Sequence, residues 1–250
     1  LLAVGYTLDE IHNDITKKTP ACFEPTIDYV VVKIPRWNFD KFPEIDRTLT
    51  VSMKSVGEVM ALGRTFKEAL QKAIRSLDRN FAGLGWDRYD LLLEGNVPSL
   101  EKIRHKLSIP NENRLFYVRY ALKLGLDVDE VSSLTKIDPW FVRQIYEIVQ
   151  LESEILKYKS VKNLPDTLFL AAKQYGFSDS QLSKMLGSSE SDIRAERKSR
   201  GIVPSYKLVD TCAAEFEAYT PYYYSTYETE SEHCVTNKKK IMVIGAGPNR

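Results

Sequence analysis

A lysine and a glutamate stand four residues apart in the most distinctive internal stretch of the sequence, residues 53–65. The stretch reads Met-Lys-Ser-Val-Gly-Glu-Val-Met-Ala-Leu-Gly-Arg-Thr. We interpret it as a strand end and a loop before a helix, where Lys54 and Glu58 could present a charged pair to a ligand or a channel. A solvated loop explains the same residues and is favoured about two to one on residue types alone.

Residues 177–197 have the outline of a helix-turn-helix, which in DNA-binding proteins needs a second helix with base-reading and phosphate-binding groups on its exposed face. That helix carries four basic and three acidic residues: Arg194, Arg197, Lys198, Arg200, Glu190, Asp192 and Glu196. A helix so nearly neutral is a poor phosphate-binding surface. Two packed helices around Gly187 are therefore the preferred interpretation.

The sequence ends in an apolar run and a glycine-rich turn, Lys-Ile-Met-Val-Ile-Gly-Ala-Gly-Pro-Asn-Arg over residues 240–250. This pattern predicts a buried strand, which needs neighbouring strands and a covering helix. Gly245 and Gly247 could begin a dinucleotide-binding fingerprint, but the continuation departs from GxGxxG. We expect the chain to be a piece of a larger protein.

Metal-binding and disulfide chemistry receive no support from residue spacing. The cysteines and histidines are scattered: Cys22, Cys212, Cys234, His12, His105 and His233. The 35 basic and 34 acidic residues give a net charge of +1, which offers no reason to expect nucleic acid or a membrane surface as partner. No apolar run approaches the roughly 20 residues that span a bilayer, and a cytoplasmic location is expected.

The elements that must position these residues begin with a mixed α and β region over residues 1–78. Thr7 and Glu10 form a potential capping box for a short helix to residue 15. Strands are predicted over residues 27–34, ending at Pro35, and over 49–53. Thr65 then caps a helix whose basic residues are expected on the outer face: Lys67, Lys72 and Arg75.

Residues 79–201 change to helix after helix. Helices are predicted to start at Pro98, Asn111, Pro139 and Leu164. A weak internal repeat recurs at an offset of about 51 residues, in which the helices ending at Gly125 and Gly176 are followed by similar apolar patterns. Two tandem helical units are therefore predicted.

The next segments, residues 202–227 and 228–240, lose this periodicity. The first, rich in tyrosine and proline, predicts an extended and packed connection, and the second, charged, predicts a surface loop.

Taken together, several segments resemble the large chain of carbamoyl phosphate synthetase. The resemblance covers the whole chain in order and rests on residues 3–11, 23–31, 33–36, 53–65, 209–216, 224–228 and 247–250. In that family two ATP-grasp halves make carboxyphosphate and then carbamoyl phosphate, and a helical oligomerisation domain joins them.

The resemblance implies a mainly α fold: a helical oligomerisation domain flanked by an incomplete α+β ATP-grasp segment and one orphan α/β strand. By this comparison, residues 1–78 end the first half, 79–226 form the oligomerisation domain and 227–250 start the second half. Catalytic, cofactor-binding and metal-binding residues are expected outside this chain. Glu58 and Gly247 match positions similar to those that line the family's carbamate tunnel.

The resemblance also implies an ATP-dependent, glutamine-using ligase of arginine or pyrimidine biosynthesis, with ATP, Mg (or Mn) and K bound in the parent enzyme. The implied partners are other copies of the large chain and a glutaminase small chain, and this piece alone is expected to be inactive. The alternative is a free-standing helical module that binds DNA. ATP hydrolysis by this chain alone is the least favoured hypothesis, because no complete phosphate-binding loop is present.

Overall fold

The computed structural model describes residues 1–37, 39, 44–93, 95, 97–218 and 221–245. Within these ranges the protein is mainly helical, with eight α-helices and two separate two-stranded antiparallel sheets. The predicted mainly α class is confirmed at this level. Gly247 lies outside the described residues.

The first sheet joins β1 (Val30–Trp37) and β2 (Ser55–Gly63), paired from Val30 opposite Gly63 to Trp37 opposite Ser55. The first strand runs through Pro35, which a strand pair tolerates because each strand has an open edge. The strand predicted over residues 49–53 is wrong. That segment instead contacts residues 110–111, where the amide of Leu49 donates to the Pro110 carbonyl at 2.9 Å.

Helix α1 (Phe66–Arg75) begins where the sequence predicts, because the Thr65 side chain accepts a hydrogen bond from the amide of Glu68. Its basic residues are not on an outer face as predicted. Lys67 is buried against Glu147, with its ammonium 4.2 Å from the ring centre of Tyr175. The helix contacts the sheet on one side and the remaining helices on the other, so little of it faces solvent.

Seven further helices follow, and most start at a side-chain cap. The long helix predicted from Pro139 is confirmed, with the Asp138 carboxylate accepting from the amide of Trp140 at 2.8 Å. The helices are α2 (Leu100–Ser108), α3 (Arg114–Lys123), α4 (Val128–Thr135), α5 (Pro139–Ile155), α6 (Asp166–Gln174), α7 (Asp179–Met185) and α8 (Glu190–Ser199).

The predicted repeat is visible in the helix boundaries. Gly125 and Gly176 both adopt positive φ, +97° and +87°, after α3 and α6. In each unit the next residue donates back to the preceding helix, Leu126 to Ala121 and Phe177 to Ala172, both at 3.0 Å. The caps of the following helices recur at the same offset: Asp127, Ser178, Asp138 and Ser189.

A second sheet, absent from the sequence predictions, is the hairpin-like pair β3 (Ser205–Leu208) and β4 (Tyr223–Thr226). Along β4 the side chains alternate between exposed and buried, with Tyr224 and Thr226 facing inward. The connection predicted over residues 202–227 is therefore extended and partly packed, but it contains a strand pair.

Both ends of the chain differ from the predictions. Thr7 and Glu10 do interact, with the Thr7 amide donating to the Glu10 carboxylate at 2.9 Å, but they close a turn and no helix runs to residue 15. Residues 241–244 form no strand and lie exposed. The charged segment 228–240 is at the surface, as predicted.

A single main core extends from α1 to the end of α8. Its largest fully buried apolar side chains include Ile74, Leu107, Ile148, Phe169 and Ile193. This core fixes the relative positions of α1 and the helical units, on which the sites described next depend.

Candidate functional site

Glu58 lies in the middle of β2, opposite Pro35, and not in a loop as predicted. Its carboxylate forms an ion pair with Lys33 of β1 at 3.4 Å, and its side chain is 43% exposed. The carboxylate therefore lies at the strand surface beside one cation and remains open to solvent. Such a position suits contact with a passing solute or another surface.

Lys54 does not join Glu58 in the charged pair that the sequence suggested. Its ammonium donates to the carbonyls of Asp46 and Thr48, the first at 2.8 Å. Lys54 therefore holds the loop that precedes β2, whereas Glu58 points from the strand. The solvated-loop interpretation of residues 53–65 is also wrong, because these residues supply the whole of β2 and the cap of α1.

A buried network of charges joins the segment before α2 to α3 and α5. Arg119 is 1% exposed and donates to Asp90 at 2.9 Å and to both carboxylate oxygens of Glu152 at 3.1–3.2 Å. Lys123 completes the network at Glu152. Two cations and two carboxylates balance, so burial leaves no net charge uncompensated. Gly85 allows the guanidinium to lie against the backbone.

A second buried network ties α6, α7 and α8 together. Asp179 accepts from Lys173 at 2.7 Å and from Arg197 at 3.1 Å. Burial lowers the pKa of Lys173 to about 8, although Asp179 opposes the shift. For Asp179, burial raises the pKa, but Lys173 and Arg197 outweigh it and the net shift is downward.

The β3–β4 pair is attached to α1 and to the second network. Thr226 donates to Glu68 of α1 at 3.0 Å, and Lys72 of α1 donates to the Ser225 carbonyl. Beyond the strand, the ring centre of Tyr227 lies 5.3 Å from the Lys173 ammonium and 5.7 Å from the Arg197 guanidinium. The pair therefore connects the first sheet and its helix to the second helical unit.

The helix-turn-helix outline is present in α7 and α8, but two of its four cations, Arg197 and Arg200, are engaged elsewhere. Arg197 is buried on Asp179, and Arg200 binds Glu196, Asp166 and the carbonyls before α6. A recognition helix needs such groups free for phosphates and base edges. The DNA-binding alternative gains no support from this arrangement.

Across the described ranges, no group of three or more His, Cys, Asp or Glu side chains is arranged to hold a metal ion. The three cysteines are free thiols. None of the helices in the described part of the chain has the length and apolar character needed to cross a bilayer.

The helices also carry an exposed aromatic cluster, formed by Phe66, Trp140 and Phe141. The ring of Phe66 lies 5.7 Å from Trp140 and 5.2 Å from Phe141, in edge-on geometry. Trp140 and Phe141 remain 52% and 42% exposed. Exposed aromatic side chains of this kind are typical of surfaces that contact another protein.

Fold and surface together define a helical domain attached to a small sheet, with two buried charge networks inside and an exposed aromatic cluster outside. A family model described as "Carbamoyl-phosphate synthetase large chain, oligomerisation domain" matches residues 58–201, more than half of the chain. The chain belongs to this carbamoyl-phosphate synthetase large chain family.

Curated relatives match the chain along its whole length. It is 56% identical to the carbamoyl phosphate synthase large chain of Archaeoglobus fulgidus and 54% identical to that of a Nostoc species. It is 48% identical to the arginine-specific, chloroplastic large chain of Oryza sativa. In each case 100% of this chain is covered, but it spans only 23%, 22% and 21% of the relative.

The chloroplastic names of plant relatives mean that the cytoplasmic location remains a prediction. The charge networks and the β3–β4 pair are the features that sequence reasoning missed. The partners of the first network are 29 or 33 residues apart in the chain, and Thr226 is 158 residues from Glu68. The partners in the second network are closer, 6 and 18 residues apart, but they lie on different helices.

Proposed function

We propose that this chain is the part of a carbamoyl phosphate synthase large chain that links two ATP-grasp halves and mediates assembly with other large chains. The observation that carries the proposal is the match of residues 58–201 to the family's oligomerisation domain. The continuous core from α1 to α8 supports a linking role, because it can transmit position from the first sheet to the last helix.

The proposed division of the chain is residues 1–78 for the end of the first half, 79–226 for the oligomerisation domain and 227–250 for the start of the second half. In the longer enzyme, ATP with Mg (or Mn) and K would be bound by residues outside this chain, and a glutaminase small chain would supply ammonia from glutamine. This chain alone is then expected to synthesise no carbamoyl phosphate.

The assembly role is tested by sedimentation equilibrium of the 250-residue protein over a range of concentrations. Self-association through an interface of ordinary size, about 1,200 Å² or more of buried surface, predicts a mass above the monomer. Trp140→Ser is the variant to compare with the unmodified protein, because it changes the exposed aromatic cluster without touching the buried core. A strict monomer at high concentration would contradict the assembly role and leave only the linking role.

We further propose that Glu58 and Gly247 line the passage for carbamate in the longer enzyme. The half-exposed carboxylate of Glu58, held by Lys33, can order water along such a wall. In full-length enzyme, Glu58→Ala and Gly247→Phe should spare the bicarbonate-dependent ATPase reaction but uncouple it from overall synthesis. Measuring both rates in each variant is the test, and unchanged coupling in both would refute the assignment.

A further inference from the structure

A cleft of about 250 Å³ lies between the end of β1 and the beginning of α3. Three arginines line it: Arg36 from β1, Arg79 from the segment after α1 and Arg114 from α3. The carboxylate in its lining, Glu112, is already paired with Arg47 at 2.9 Å. The lining therefore carries three guanidinium groups and one paired carboxylate, although the whole chain is nearly neutral.

Arg36 is the arginine whose geometry points to a missing partner. A break in the β1–β2 register occurs between Arg36 and Trp37, and such bulges redirect side chains. The Nη1 atom of Arg36 is buried and has no hydrogen-bond partner among the described residues. Burying a charged donor without a partner is costly, so its position favours an acceptor that enters the cleft.

The start of α3 adds to the positive potential. The helix has ten residues, and Arg114 is the first of them. Asn113, at the capping position, lines the cleft and makes no capping hydrogen bond through its side chain. Arg114 keeps its orientation by donating to the Thr135 carbonyl at 3.3 Å. A helix start of this kind stabilises anions through its dipole and amide groups.

Apolar rings complete the cleft. Trp37 and Phe116 line it, together with Ile74 and Leu77 from α1. A neighbouring cleft of about 360 Å³ shares Arg79, Phe81, Asn113 and Phe116 with it, which gives room for a group as large as an aromatic ring. Small-molecule sites commonly combine an apolar wall with a few convergent polar groups in this way.

We propose that this cleft binds a small phosphate monoester, with the phosphate against Arg36, Arg79 and Arg114 and an attached ring against the aromatic wall. A dianion matches three arginines better than a carboxylate does, because guanidinium groups hold phosphate oxygens in paired hydrogen bonds. The site is independent of the assembly role proposed above, so the failure of either would leave the other standing.

The test is a titration of the full 250-residue protein with phenyl phosphate, followed by isothermal calorimetry and by tryptophan fluorescence. Saturable binding is expected, and it should weaken as the salt concentration rises. Arg36→Met keeps the aliphatic stem but removes the charge, and should lower the affinity about tenfold or more. Arg143→Met, on the exposed side of α5, is the matched control and should bind as the unmodified protein does.

Phenol and inorganic phosphate separate the two halves of the ligand, and each should bind more weakly than phenyl phosphate. Circular dichroism melting shows whether Arg36→Met is folded. Arg36→Lys, which retains the charge but loses the planar guanidinium, should have an affinity between those of the unmodified protein and Arg36→Met. The proposal is overturned if phenyl phosphate does not bind, if phenol binds as tightly, or if folded Arg36→Met retains full affinity.

Discussion

At the scale of single residues, Gly85 controls the first buried charge network. A Cβ atom at this position would lie 2.3 Å from the central carbon of the Arg119 guanidinium, and the φ angle is +94°. We expect Gly85→Ala to lower the free energy of unfolding by about 3 kcal/mol or more, because it displaces a buried cation from both carboxylates.

Gly187→Ala is the matched control for that change. Gly187 also has positive φ, +62°, but nothing lies within 4 Å of its ideal Cβ position. Only backbone strain of about 1 kcal/mol is expected there. Urea unfolding of both variants gives the comparison, and equal losses would show that Arg119 adapts without cost.

Lys173 predicts a pH dependence whose sign follows from its lowered pKa. The folded protein releases this proton near pH 8, whereas the unfolded chain holds it up to about the ordinary value of 10.5. A depressed folded-state pKa means that stability is gained as pH rises from 8 to 10.5 and is lost as pH falls through 8. Below pH 8 the contribution is constant.

Lys173→Met should remove this gain. The difference in unfolding free energy between the unmodified protein and the variant should therefore move in favour of the unmodified protein between pH 7.5 and 10, by up to about 3 kcal/mol. Guanidinium-induced unfolding of both proteins at several pH values measures this difference. Other groups that titrate at alkaline pH are present in both proteins, so their effects cancel. A difference independent of pH would contradict the lowered pKa.

At the scale of elements, the two helical units resemble each other in how they end but differ in what they touch. Gly176 packs on α1, since an added Cβ would lie 2.9 Å from the Glu68 carbonyl oxygen and 3.0 Å from its Cα. Gly125, its equivalent in the first unit, has no atom within 4 Å of that position.

Gly176→Ala should therefore destabilise the protein by about 1–3 kcal/mol more than Gly125→Ala. Both glycines have φ near +90°, so the strain of adding a side chain is common to both variants. Differential scanning calorimetry of the two proteins is the measurement. Equal melting temperatures would show that α1 and the second unit can accommodate the added methyl group without loss of stability.

Helix positions were predictable where local chemistry decides them. Thr65, Asp138 and the two glycines of the repeat mark helix ends through their own backbone preferences, and each lies where the sequence suggests. The β3–β4 pair was not predictable, because its strands have four residues each and depend on side chains of α1. Lys67 was misplaced because tertiary contacts cover both sides of its helix.

The candidate site was predictable only in part. The family resemblance suggested Glu58 as a tunnel residue, and that role stays a prediction. Its loop position was wrong, since the residue pairs with β1 in a strand despite the glycine that precedes it. The arginine-lined cleft escaped notice because Arg36, Arg79 and Arg114 come from three distant segments. Only the fold brings them together.

At the scale of the whole molecule, the sheet, α1 and the two helical units share a core that crosses the proposed border near residue 78. Ion pairs cross it too: Lys67 of α1 reaches Glu147 of α5. The helical units and the sheet that carries Glu58 are therefore parts of one packed body.

A glycine, a helix cap and a buried apolar residue recur at an offset of 51 residues, so this part of the chain has the form of a duplication. The two copies share the residues that mark helix ends, Gly125 with Gly176 and Asp138 with Ser189. Their buried charge networks differ. The residues at the helix ends are therefore common to both copies, whereas the buried charges are not. Homologous chains should vary in length most freely in the stretch between the two copies, because an insertion or deletion there leaves the spacing within each copy unchanged.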